Sequence, residues 1–387
     1  MLRPVDAAQS KERVRKLGEK VLVTGGAGFI GRAVTNDLLR RGNRVRVLDS
    51  LIEQVHGDRE RPEDFPADAE LIVGDIRNKD VVARSLKDID SVIHLAAEVG
   101  VGQSMYAVER YTSVNETGSA VLFEALIDRP VRRVVTASSM SIYGEGLYRD
   151  AEGNLAQNAE RQPRTSNSQS WNPVDAQGRP LTPVATPEWK QPSLASIYAL
   201  GKYVQERQTL IMTQAYGMEG VCLRLFNVYG PGQALSNPYT GVLAIFSSRL
   251  ANGQRPMIFE DGEQRRDFVY VGDVARAFCE ALVHPSAPGE VFNIGSGQDR
   301  SVKQVAQSIA RAMNRDGVEP EIVGKSRIGD IRHCFCDGSK AAERLGFRAE
   351  KDFDEGLAEL AQWVAEQEAD DRVDEARAEL ESKGLVA

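Results

Sequence analysis

"KVLVTGGAGFIG", residues 20–31, is the stretch that decides the fold. Its first five residues form a short apolar, β-branched run, which is typical of a buried strand. Three glycines follow at a spacing of three residues, Gly25, Gly28 and Gly31. The next run, "RAVTNDLLRRG", has the periodicity of an amphipathic helix that ends at Gly42. A strand, a glycine-rich turn and a helix in this order form the first half of a βαβ unit.

The same alternation continues along the chain. Strand-like runs occur at 44–50, 69–76, 90–97 and 132–139, and a helix is predicted from about residue 114 to 127. Strands separated by helical segments favour a parallel sheet with helices on both faces. The sequence therefore predicts the α/β class, with a Rossmann-like, doubly wound parallel sheet.

The glycine turn carries the signature of a dinucleotide site. Glycines let the backbone approach a pyrophosphate, whose charge is favoured by the N-terminus of the following helix. Asp49 lies 18 residues after Gly31, at the end of the second predicted strand, where its carboxylate can accept both hydroxyls of a ribose. A 2′-phosphate would be repelled there, so the predicted cofactor is NAD rather than NADP. The alternative is that Asp49 only caps the strand.

A second motif lies in "ASIYALGKYVQE", residues 195–206. Tyr198 and Lys202 are four residues apart, so a helix would place them on one face. The charge of Lys202 would then favour the phenolate and lower the pKa of Tyr198, which would make the phenol a usable base. Taken alone, the pair could be an ordinary amphipathic helix pair. Its agreement with the glycine turn and Asp49 favours a catalytic role.

Together these motifs resemble the extended short-chain dehydrogenases/reductases, the NAD-dependent nucleotide-sugar epimerases and dehydratases, from about residue 20 to 347. The run "SSMSIYG" (138–144) matches the family pattern S-S-x-x-V-Y-G. The resemblance implies that the catalytic residues are Ser139, Tyr198 and Lys202. It implies an NAD site formed by Gly25, Gly28, Phe29, Ile30, Gly31, Asp49, Asp75, Ile76, Leu95, Ala96, Ala97, Asn115, Tyr198 and Lys202, with Asn115 as a structural residue at a helix kink. His94 is expected to be a satisfied strand histidine.

Three later runs resemble the nucleotide-sugar signatures of the same family: "CLRLFNVYGPGQ" (222–233), "RRDFVYVGDVA" (265–275) and "RIGD" (327–330). A guanidinium suits a diphosphate because its planar fork can bind two oxygens at once. Outside these motifs, each arginine could equally be a surface ion pair. The implied substrate residues are Ser138, Met140, Asn227, Arg266, Arg327 and Asp330. Arg224 is expected to support the site.

The residues after Ser139 bear on the reaction. Family members that eliminate water carry Asp-Glu directly after the catalytic Ser or Thr, whereas this chain has Met140 and Ser141. Dehydration is therefore disfavoured, and 4-epimerisation through a transient 4-keto sugar needs no further acid or base. Three runs resemble bacterial dTDP-L-rhamnose 4-epimerases: "SSMSIYGEG" (138–146), "PVATPEWKQPSLASIYALGK" (183–202) and "PMIFEDGEQRRDFVYVGDVA" (256–275). The resemblance implies conversion of dTDP-L-rhamnose to dTDP-6-deoxy-L-talose. Met140 could contact the 6-methyl group or simply pack at the strand end.

Other functions stay open at this point. One is UDP-glucose/UDP-galactose 4-epimerisation, or another nucleotide-sugar dehydrogenase or dehydratase reaction. A non-enzymatic, NAD-sensing regulator is a further possibility, although such regulators typically lose the tyrosine or the lysine, and this chain keeps both Tyr198 and Lys202.

The chain is predicted to have four parts: an N-terminal leader (1–19), an NAD-binding Rossmann domain (20–236), a mainly nucleotide-sugar-binding lobe (237–350) and an acidic, helical, surface-lying tail (351–387). Residues 145–194 are rich in Pro, Asn, Gln, Arg and Ser and are predicted to be an irregular insertion. Residues 220–230 are predicted to form one strand.

Composition limits the partners. The net charge of −8 and a single short basic run favour neither nucleic acid nor a membrane surface. No apolar run approaches the roughly 20 residues that cross a bilayer, and no signal peptide is recognisable, so a cytoplasmic location is predicted. The only metal-like cluster, "RHCFCD" (332–337), lacks an evident fourth ligand, so no metal is predicted. The family resemblance implies a homodimer through helices at about 104–127 and 198–216.

Overall fold

The computed structural model describes residues 18–57, 61–62, 64–160, 171–237, 239, 241–367 and 371–386. Apart from Gly18 and Glu19, the predicted leader lies outside the described residues. In chain order the strands are β1 (Lys20–Thr24), β2 (Arg44–Asp49), β3 (Glu70–Val73), β4 (Ser91–His94), β5 (Arg133–Ser139), β6 (Leu147–Arg149), β7 (Leu155–Ala156), β8 (Thr182–Val184), β9 (Glu219–Leu225), β10 (Asn227–Tyr229), β11 (Met257–Ile258), β12 (Arg265–Tyr270), β13 (Val291–Ile294), β14 (Asp299–Ser301), β15 (Glu321–Ile322) and β16 (His333–Cys334).

The helices are α1 (Phe29–Arg40), α2 (Glu53–His56), α3 (Lys79–Ser85), α4 (Val101–Ser104), α5 (Val108–Thr112), α6 (Gly118–Asp128), α7 (Ile197–Ala215), α8 (Val242–Ala251), α9 (Val271–Val283), α10 (Val302–Ala312), α11 (Ser339–Leu345), α12 (Phe353–Ala365) and α13 (Val373–Ser382). A π-helical turn, Ser113–Thr117, joins α5 to α6. A 3₁₀ turn, Met140–Tyr143, follows β5.

A seven-stranded parallel sheet organises the molecule. Its strand order is β13-β9-β5-β4-β1-β2-β3, and every neighbouring pair in it is parallel. The order grows outward in both directions from β1 and β4, which is the arrangement of a doubly wound fold. The carboxyl ends of β1 and β4 therefore flank a crevice where ligands bind in such sheets. The predicted Rossmann-like α/β sheet is confirmed.

Both faces of this sheet are covered by helices. Along β1, Val21 and Val23 pack in the cluster that contains Phe278 of α9, whereas Leu22 packs in the cluster that contains Phe123 of α6. Successive strand residues point to opposite faces, so an apolar run such as that of β1 serves two cores at once. This explains why the strand sequences are continuously apolar rather than alternating.

The second lobe does not follow the predicted boundary at residue 237. Helix α9 packs against α1, and β13 pairs with β9 at the edge of the main sheet. After residue 270 the chain therefore contributes again to the seven-stranded sheet and to the helices that cover it. The core of the lobe itself is formed by α8, α10 and α12, with Phe246, Ile309 and Leu360 fully buried among them. The lobe is thus interleaved with the Rossmann sheet along the chain.

The tail is helical, but it does not simply lie on the surface. Phe353, Leu357 and Leu360 of α12 are buried in the core of the lobe, because every third or fourth residue of this helix is apolar. The expectation of a surface-lying tail is therefore wrong for α12. Helix α13 buries Ala376 and Leu380 and reaches the cavity described below.

Two further segments differ from expectation. The insertion 145–194 contains a small antiparallel sheet of β7, β6 and β8, and its residues 161–170 lie outside the described residues. Within the predicted strand 220–230, the chain leaves the main sheet at Phe226: β9 pairs with β5, but β10 pairs with β12 of a second sheet. The step between the two sheets brings Asn227 to the boundary between the lobes.

Nothing in the described part of the chain is a helix long and apolar enough to cross a lipid bilayer. Cys334 and Cys336 of the "RHCFCD" run are buried free thiols.

Candidate active site

A cavity of 1480 Å³ opens at the carboxyl edge of the main sheet and extends to the second lobe. It is lined by all but one of the predicted site residues: Gly25, Gly28, Phe29, Ile30, Gly31, Asp49, Asp75, Ile76, Leu95, Ala96, Ala97, Ser138, Ser139, Met140, Tyr198, Lys202, Asn227, Arg266, Arg327 and Asp330. The exception is Asn115. Residues from separate segments of the chain therefore meet in one space.

The glycine turn between β1 and α1 has no room for a side chain at Gly25 or at Gly31. Gly25 has a φ of +71°, and a Cβ atom there would lie 2.8 Å from the backbone nitrogen of Ala96. A Cβ atom on Gly31 would lie 2.2 Å from the carbonyl oxygen of Gly25. No side chain caps the N-terminus of α1, so its first N–H groups remain available to an anion. This bare backbone cradle fits the pyrophosphate of a dinucleotide.

Asp49 stands at the end of β2 and fixes the shape of the turn. Its Oδ2 accepts from the N–H of Ala27 at 2.9 Å, and its Oδ1 accepts from the N–H of Leu51 at 2.9 Å. His56 Nε2 lies 3.8 Å from Oδ1. The carboxylate thus caps the strand and also lines the cavity, so the structural alternative and the ribose-binding prediction are compatible.

Asn115 does not line the cavity. Its side chain is fully buried, where Oδ1 accepts from the N–H of Glu98 at 2.7 Å and Nδ2 donates to the carbonyl of Glu98 at 3.1 Å. It lies in the π-helical turn, as a structural residue at a helix kink should. Because both ends of its amide are occupied, Asn115 holds the backbone of the cavity wall instead of contacting a ligand, which corrects its assignment to the NAD contacts.

Ser139 is oriented as a hydrogen-bond donor. Its Oγ accepts from the N–H of Ser141 at 3.2 Å and from Ser141 Oγ at 2.9 Å. A hydroxyl that accepts twice has its own proton left to donate. Ser139 and Tyr198 also interact through a hydrogen bond that bears on the pKa of the phenol.

Tyr198 and Lys202 lie one turn apart on α7, and both line the cavity. Burial raises the pKa of the Tyr198 phenol, and the hydrogen bond with Ser139 lowers it. Burial also lowers the pKa of Lys202 to about 7, and its Nζ donates to Gln205 Oε1 at 2.8 Å. Burial outweighs this hydrogen bond, so the pKa of Tyr198 is raised in this structure, which corrects the expectation that Lys202 lowers it.

His94 has the structural role expected of it. It is buried, with Nδ1 2.7 Å from Thr24 Oγ1 and Nε2 2.8 Å from Ser119 Oγ. Burial lowers the pKa of His94 to about 3, with a smaller contribution from the charge of Lys202. The prediction of a satisfied strand histidine is confirmed.

A buried ion pair supports the floor of the site. Arg224 of β9 donates to both carboxylate oxygens of Glu206, at 2.7 and 2.9 Å, and to the hydroxyl of Tyr143 at 2.8 Å. Ser138 Oγ donates to the same carboxylate at 2.7 Å. A two-point geometry with further hydrogen bonds is what makes a buried pair tolerable. Ser138 is held by this network, and Arg224 supports the site as expected.

The substrate end of the cavity carries the predicted charged cluster. Arg327 donates to Asp330 Oδ2 through Nη2 at 2.8 Å and through Nε at 3.1 Å, and its guanidinium lies 4.6 Å from the ring centre of Phe259. Arg266 donates to the carbonyl of Arg332 at 2.8 Å and lies 3.7 Å from Asp330 Oδ1. The two arginines thus converge on one carboxylate, that of Asp330.

Asn227 offers an unpaired acceptor to the cavity. It lies at the start of β10, and its Oδ1 has no hydrogen-bond partner among the described residues. A buried amide oxygen without a partner is costly unless a ligand or water satisfies it. The position therefore fits the predicted contact with substrate.

Sequence reasoning missed a polar cluster at the middle of the cavity. Arg110 Nη2 donates to Glu98 Oε2 at 2.7 Å, to Gln54 Oε1 at 2.8 Å and to Gln103 Oε1 at 3.2 Å. Arg110, Glu98 and Gln54 line the cavity, and Gln103 holds them from outside its wall. The position of Glu98, directly after the groove residues Leu95–Ala97, is the signal that could have found it.

The contribution of helix α13 to the cavity was also missed, although the tail was predicted to be helical. Its Arg377, Glu379 and Leu380 line the cavity, and after it the carbonyl of Leu385 accepts from the N–H of Ile328 at 3.0 Å. The tail is thereby tied to the segment that carries Arg327 and Asp330. No motif marks α13 in the sequence, since its pattern is only that of a short polar helix.

Comparison with known proteins gives a consistent result. The model of the NAD dependent epimerase/dehydratase family matches residues 21–295. The dTDP-L-rhamnose 4-epimerase of Burkholderia thailandensis is 36% identical over 355 residues, which cover 90% of this chain and 96% of that protein.

Solved structures agree. The UDP-glucose 4-epimerase of Thermotoga maritima with UDP-glucose is 30% identical and has a TM-score of 0.73, covering 90% of this chain and 99% of that one. The UDP-glucose 4-epimerase of Thermus thermophilus in complex with NAD is 30% identical with a TM-score of 0.70, covering 89% and 99%. With its glycine cradle and its cavity-lining Ser139, Tyr198 and Lys202, this chain is an NAD-dependent enzyme and belongs to the NAD dependent epimerase/dehydratase family.

Proposed function

We propose that the protein is an isomerase, a nucleotide-sugar 4-epimerase that interconverts dTDP-L-rhamnose and dTDP-6-deoxy-L-talose through a transient 4-keto sugar. The observation that carries the reaction type is the cavity itself. Ser139, Tyr198 and Lys202 line it together, while Met140 and Ser141 stand where a dehydratase needs an acid and a base. The Ser141 hydroxyl donates a hydrogen bond to Ser139 Oγ, and Ser141 supplies neither the acid nor the base.

The roles follow from the chemistry of each side chain. The glycine turn and Asp49 would hold NAD, which would supply a reversible hydride acceptor for C4 of the sugar. Tyr198 takes the proton of the 4-hydroxyl as general base, and Ser139 donates a hydrogen bond to the same oxygen. Lys202 lies one helical turn after Tyr198 and, when protonated, supplies a positive charge to the same cavity. When the other face of the ketone is presented, Tyr198 returns the proton, so one base serves both directions.

The substrate assignment rests on the charged cluster and on one apolar contact. Arg266, Arg327 and the unpaired Asn227 support binding of a diphosphate. Met140 is buried beside Ser139 and lines the cavity, so it can contact the methyl group of a 6-deoxy sugar. The relative from Burkholderia thailandensis carries the same activity in its name. The second candidate is UDP-glucose 4-epimerisation, which the two solved structures favour.

The test is a panel of dTDP- and UDP-sugars at equal concentration, with products identified by NMR. We expect dTDP-L-rhamnose to be epimerised fastest. Weak activity on a hexose is compatible with this, since an apolar pocket rejects an added hydroxyl only by roughly a hundredfold. Faster epimerisation of UDP-galactose would replace the substrate assignment, and steady accumulation of a dehydrated sugar would replace the reaction type.

We further propose a homodimer through α5, α6 and α7, which pack against one another. Their outer face carries exposed apolar side chains, among them Val108, Leu200 and Ile211, which are 44%, 38% and 54% exposed. Exposed apolar side chains grouped in this way mark interaction surfaces. Ile211→Asp should convert the dimer to a monomer in light scattering. Ile322→Asp, another exposed apolar position, on β15, is the control and should leave the mass unchanged.

A cytoplasmic location belongs to the same proposal. All four cysteines are buried free thiols, which fits a reducing compartment.

A further inference from the structure

Gln205 occupies the middle of α7, three residues after Lys202, and it is almost fully buried. Its Oε1 accepts from Lys202 Nζ at 2.8 Å. Its Nε2 donates to Ser119 Oγ at 2.9 Å and to the carbonyl of Ala96 at 3.2 Å. Both ends of this amide are therefore used within the protein, beside the cavity.

The orientation of the amide is fixed by its neighbours. The carbonyl of Ala96 can only accept a hydrogen bond, so the nitrogen end of Gln205 must face it. The oxygen end must then face Lys202. An ammonium has only donors to offer, so this oxygen is matched to the protonated lysine.

The proton pattern around His94 fixes the tautomer of its imidazole. Ser119 gives its one proton to the carbonyl of Asn115 at 2.6 Å, so at 2.8 Å His94 Nε2 must donate to Ser119 Oγ. His94 Nδ1 then accepts from Thr24, and the imidazole is neutral. Gln205 Nε2 lies 3.1 Å from His94 Nε2, and these two donors share Ser119 Oγ as acceptor. Because His94 is neutral, it does not compete with Lys202 for the amide oxygen of Gln205.

We propose that Gln205 is a positioning residue for Lys202, which holds the ammonium in its charged form and at its place beside Tyr198. Gln205 does not contact the reacting atoms. It acts through the lysine. The amide nitrogen of Gln205 donates to Ser119 and Ala96, and this keeps the amide oxygen at one fixed point beside the cavity.

The need for such a residue follows from burial. Lys202 is 3% exposed, so it has lost nearly all of its hydration, and burial lowers its pKa to about 7. The ionisable groups around it are Tyr198 and Glu206 on the same helix, His94 on β4 and Cys222 on β9. Glu206 raises the pKa of Lys202 through its charge, whereas Gln205 accepts a hydrogen bond from Nζ. That hydrogen bond directly stabilises the charged form.

The direct test is the titration of Lys202 in protein labelled with ¹³C at the lysine Cε, whose chemical shift follows the protonation of Nζ. The Lys202→Met variant identifies the resonance. In Gln205→Leu the pKa of Lys202 should fall by about one unit or more, because a charge-assisted hydrogen bond of the native state is lost. Gln208→Leu is the matched control, since Gln208 lies on the same helix and donates to the carbonyl of Glu116, at 3.4 Å, rather than to the lysine. It should leave the titration unchanged.

A second test measures the pH dependence of kcat for the same variants, and it rests on the proposed function. The active form of Lys202 is protonated, so a lower pKa should move the alkaline limb of kcat to lower pH, while KM stays unchanged. At neutral pH a fall of one unit from a pKa of about 7 should lower kcat by about fivefold. Gln205→Glu keeps an oxygen acceptor at Lys202, so its alkaline limb should stay in place or move to higher pH.

The outcomes separate the two proposals. An unshifted Lys202 titration in Gln205→Leu, or an equal shift in Gln208→Leu, overturns the role of Gln205. If Gln205→Leu does not fold, a Gln205→Glu protein whose Lys202 titrates at a lower pH than in the native protein overturns it as well. A shifted titration in a protein that epimerises no sugar of the panel supports Gln205 and contradicts the epimerase assignment.

Discussion

The two ends of the cavity are built in different ways. The cofactor end is made by backbone: the turn Gly25–Gly31 and the end of β2 come from one continuous stretch of about thirty residues. The substrate end is made by side chains from distant segments, with Asn227, Arg266 and Arg327 brought together only by the packing of the second lobe. A site shaped by backbone is specified locally, whereas a site shaped by side chains depends on long-range packing.

This difference has a consequence for substitutions. At the cofactor end a methyl group added at Gly25 or Gly31 meets backbone atoms, so the turn itself must shift and the loss of NAD affinity should be large. At the substrate end a lost contact leaves the rest of the cluster in place, so effects there should be graded. The catalytic residues lie between the two ends, where a change of one atom stops the reaction.

The largest effect is expected for Tyr198→Phe. The substitution removes only the phenolic oxygen, which is the proposed base, so kcat should fall by about a thousandfold or more. NAD should remain bound, because the glycine cradle and Asp49 are untouched. Turnover with NMR detection and calorimetry with NAD check the two parts. Native turnover in the Tyr198→Phe protein would contradict the role of Tyr198 as the general base.

The next effect is expected at the cofactor end. In Gly31→Ala the new Cβ would lie 2.2 Å from the carbonyl of Gly25, so the turn must shift. We expect the affinity for NAD to fall by about a hundredfold, and the free energy of unfolding to fall by about 1–3 kcal/mol, the usual cost of overpacking. Gly338→Ala is the control, because a Cβ there meets only Cys336 Sγ, at 3.8 Å. Native NAD affinity in Gly31→Ala would contradict the backbone account of this end.

A graded effect is expected at the substrate end. Arg327→Lys keeps the charge but loses the fork that holds Asp330 at two points. We expect KM for the nucleotide sugar to rise by about tenfold with little change in kcat, since one charge-assisted hydrogen bond of several is lost. Arg311→Lys is the control, because Arg311 lies outside the cavity and donates to Ser308 of its own helix. An equal rise in both variants would show that the effect is not local.

The same contrast explains what the sequence revealed. The strand, glycine turn and helix around Gly25–Gly31, the end of β2 at Asp49 and the Tyr198–Lys202 pair are local patterns, and the structure places each where its pattern required. The catalytic and NAD-binding roles of these residues remain predictions until the variants are measured.

What stayed hidden depends on long-range packing. The run "VFNI" of β13 is too short to show that it forms the edge strand of the main sheet. In the sequence α12 looks like part of an acidic tail, whereas the structure buries Phe353 and Leu360 in the core of the lobe. The partner of Lys202 could not be deduced either. Spacing shows that Gln205 shares the helix, but its contacts with Ala96 and Ser119 come from other elements.

The smallest effect is expected at the outermost contact of the substrate end, between α13 and the opposite wall. The hydroxyls of Tyr106 and Tyr239 both lie 2.9 Å from Glu379 Oε2. Glu379 is exposed, so water and salt screen this contact, and an exposed polar pair is worth about 1 kcal/mol at most. Glu379→Gln should therefore raise KM for the nucleotide sugar by no more than about fivefold, the ratio that corresponds to that energy, and should leave kcat and NAD affinity unchanged.

Glu343→Gln, an exposed position on α11 outside the cavity, is the control and should have no effect on KM. Because a screened contact weakens further with ionic strength, the difference between Glu379→Gln and the native protein should shrink in high salt. A rise in KM larger than that of Arg327→Lys would reverse the expected order. It would mean that the tail contributes more to the substrate end than the motif-bearing arginine does, and that a segment without any sequence signal dominates this half of the cavity.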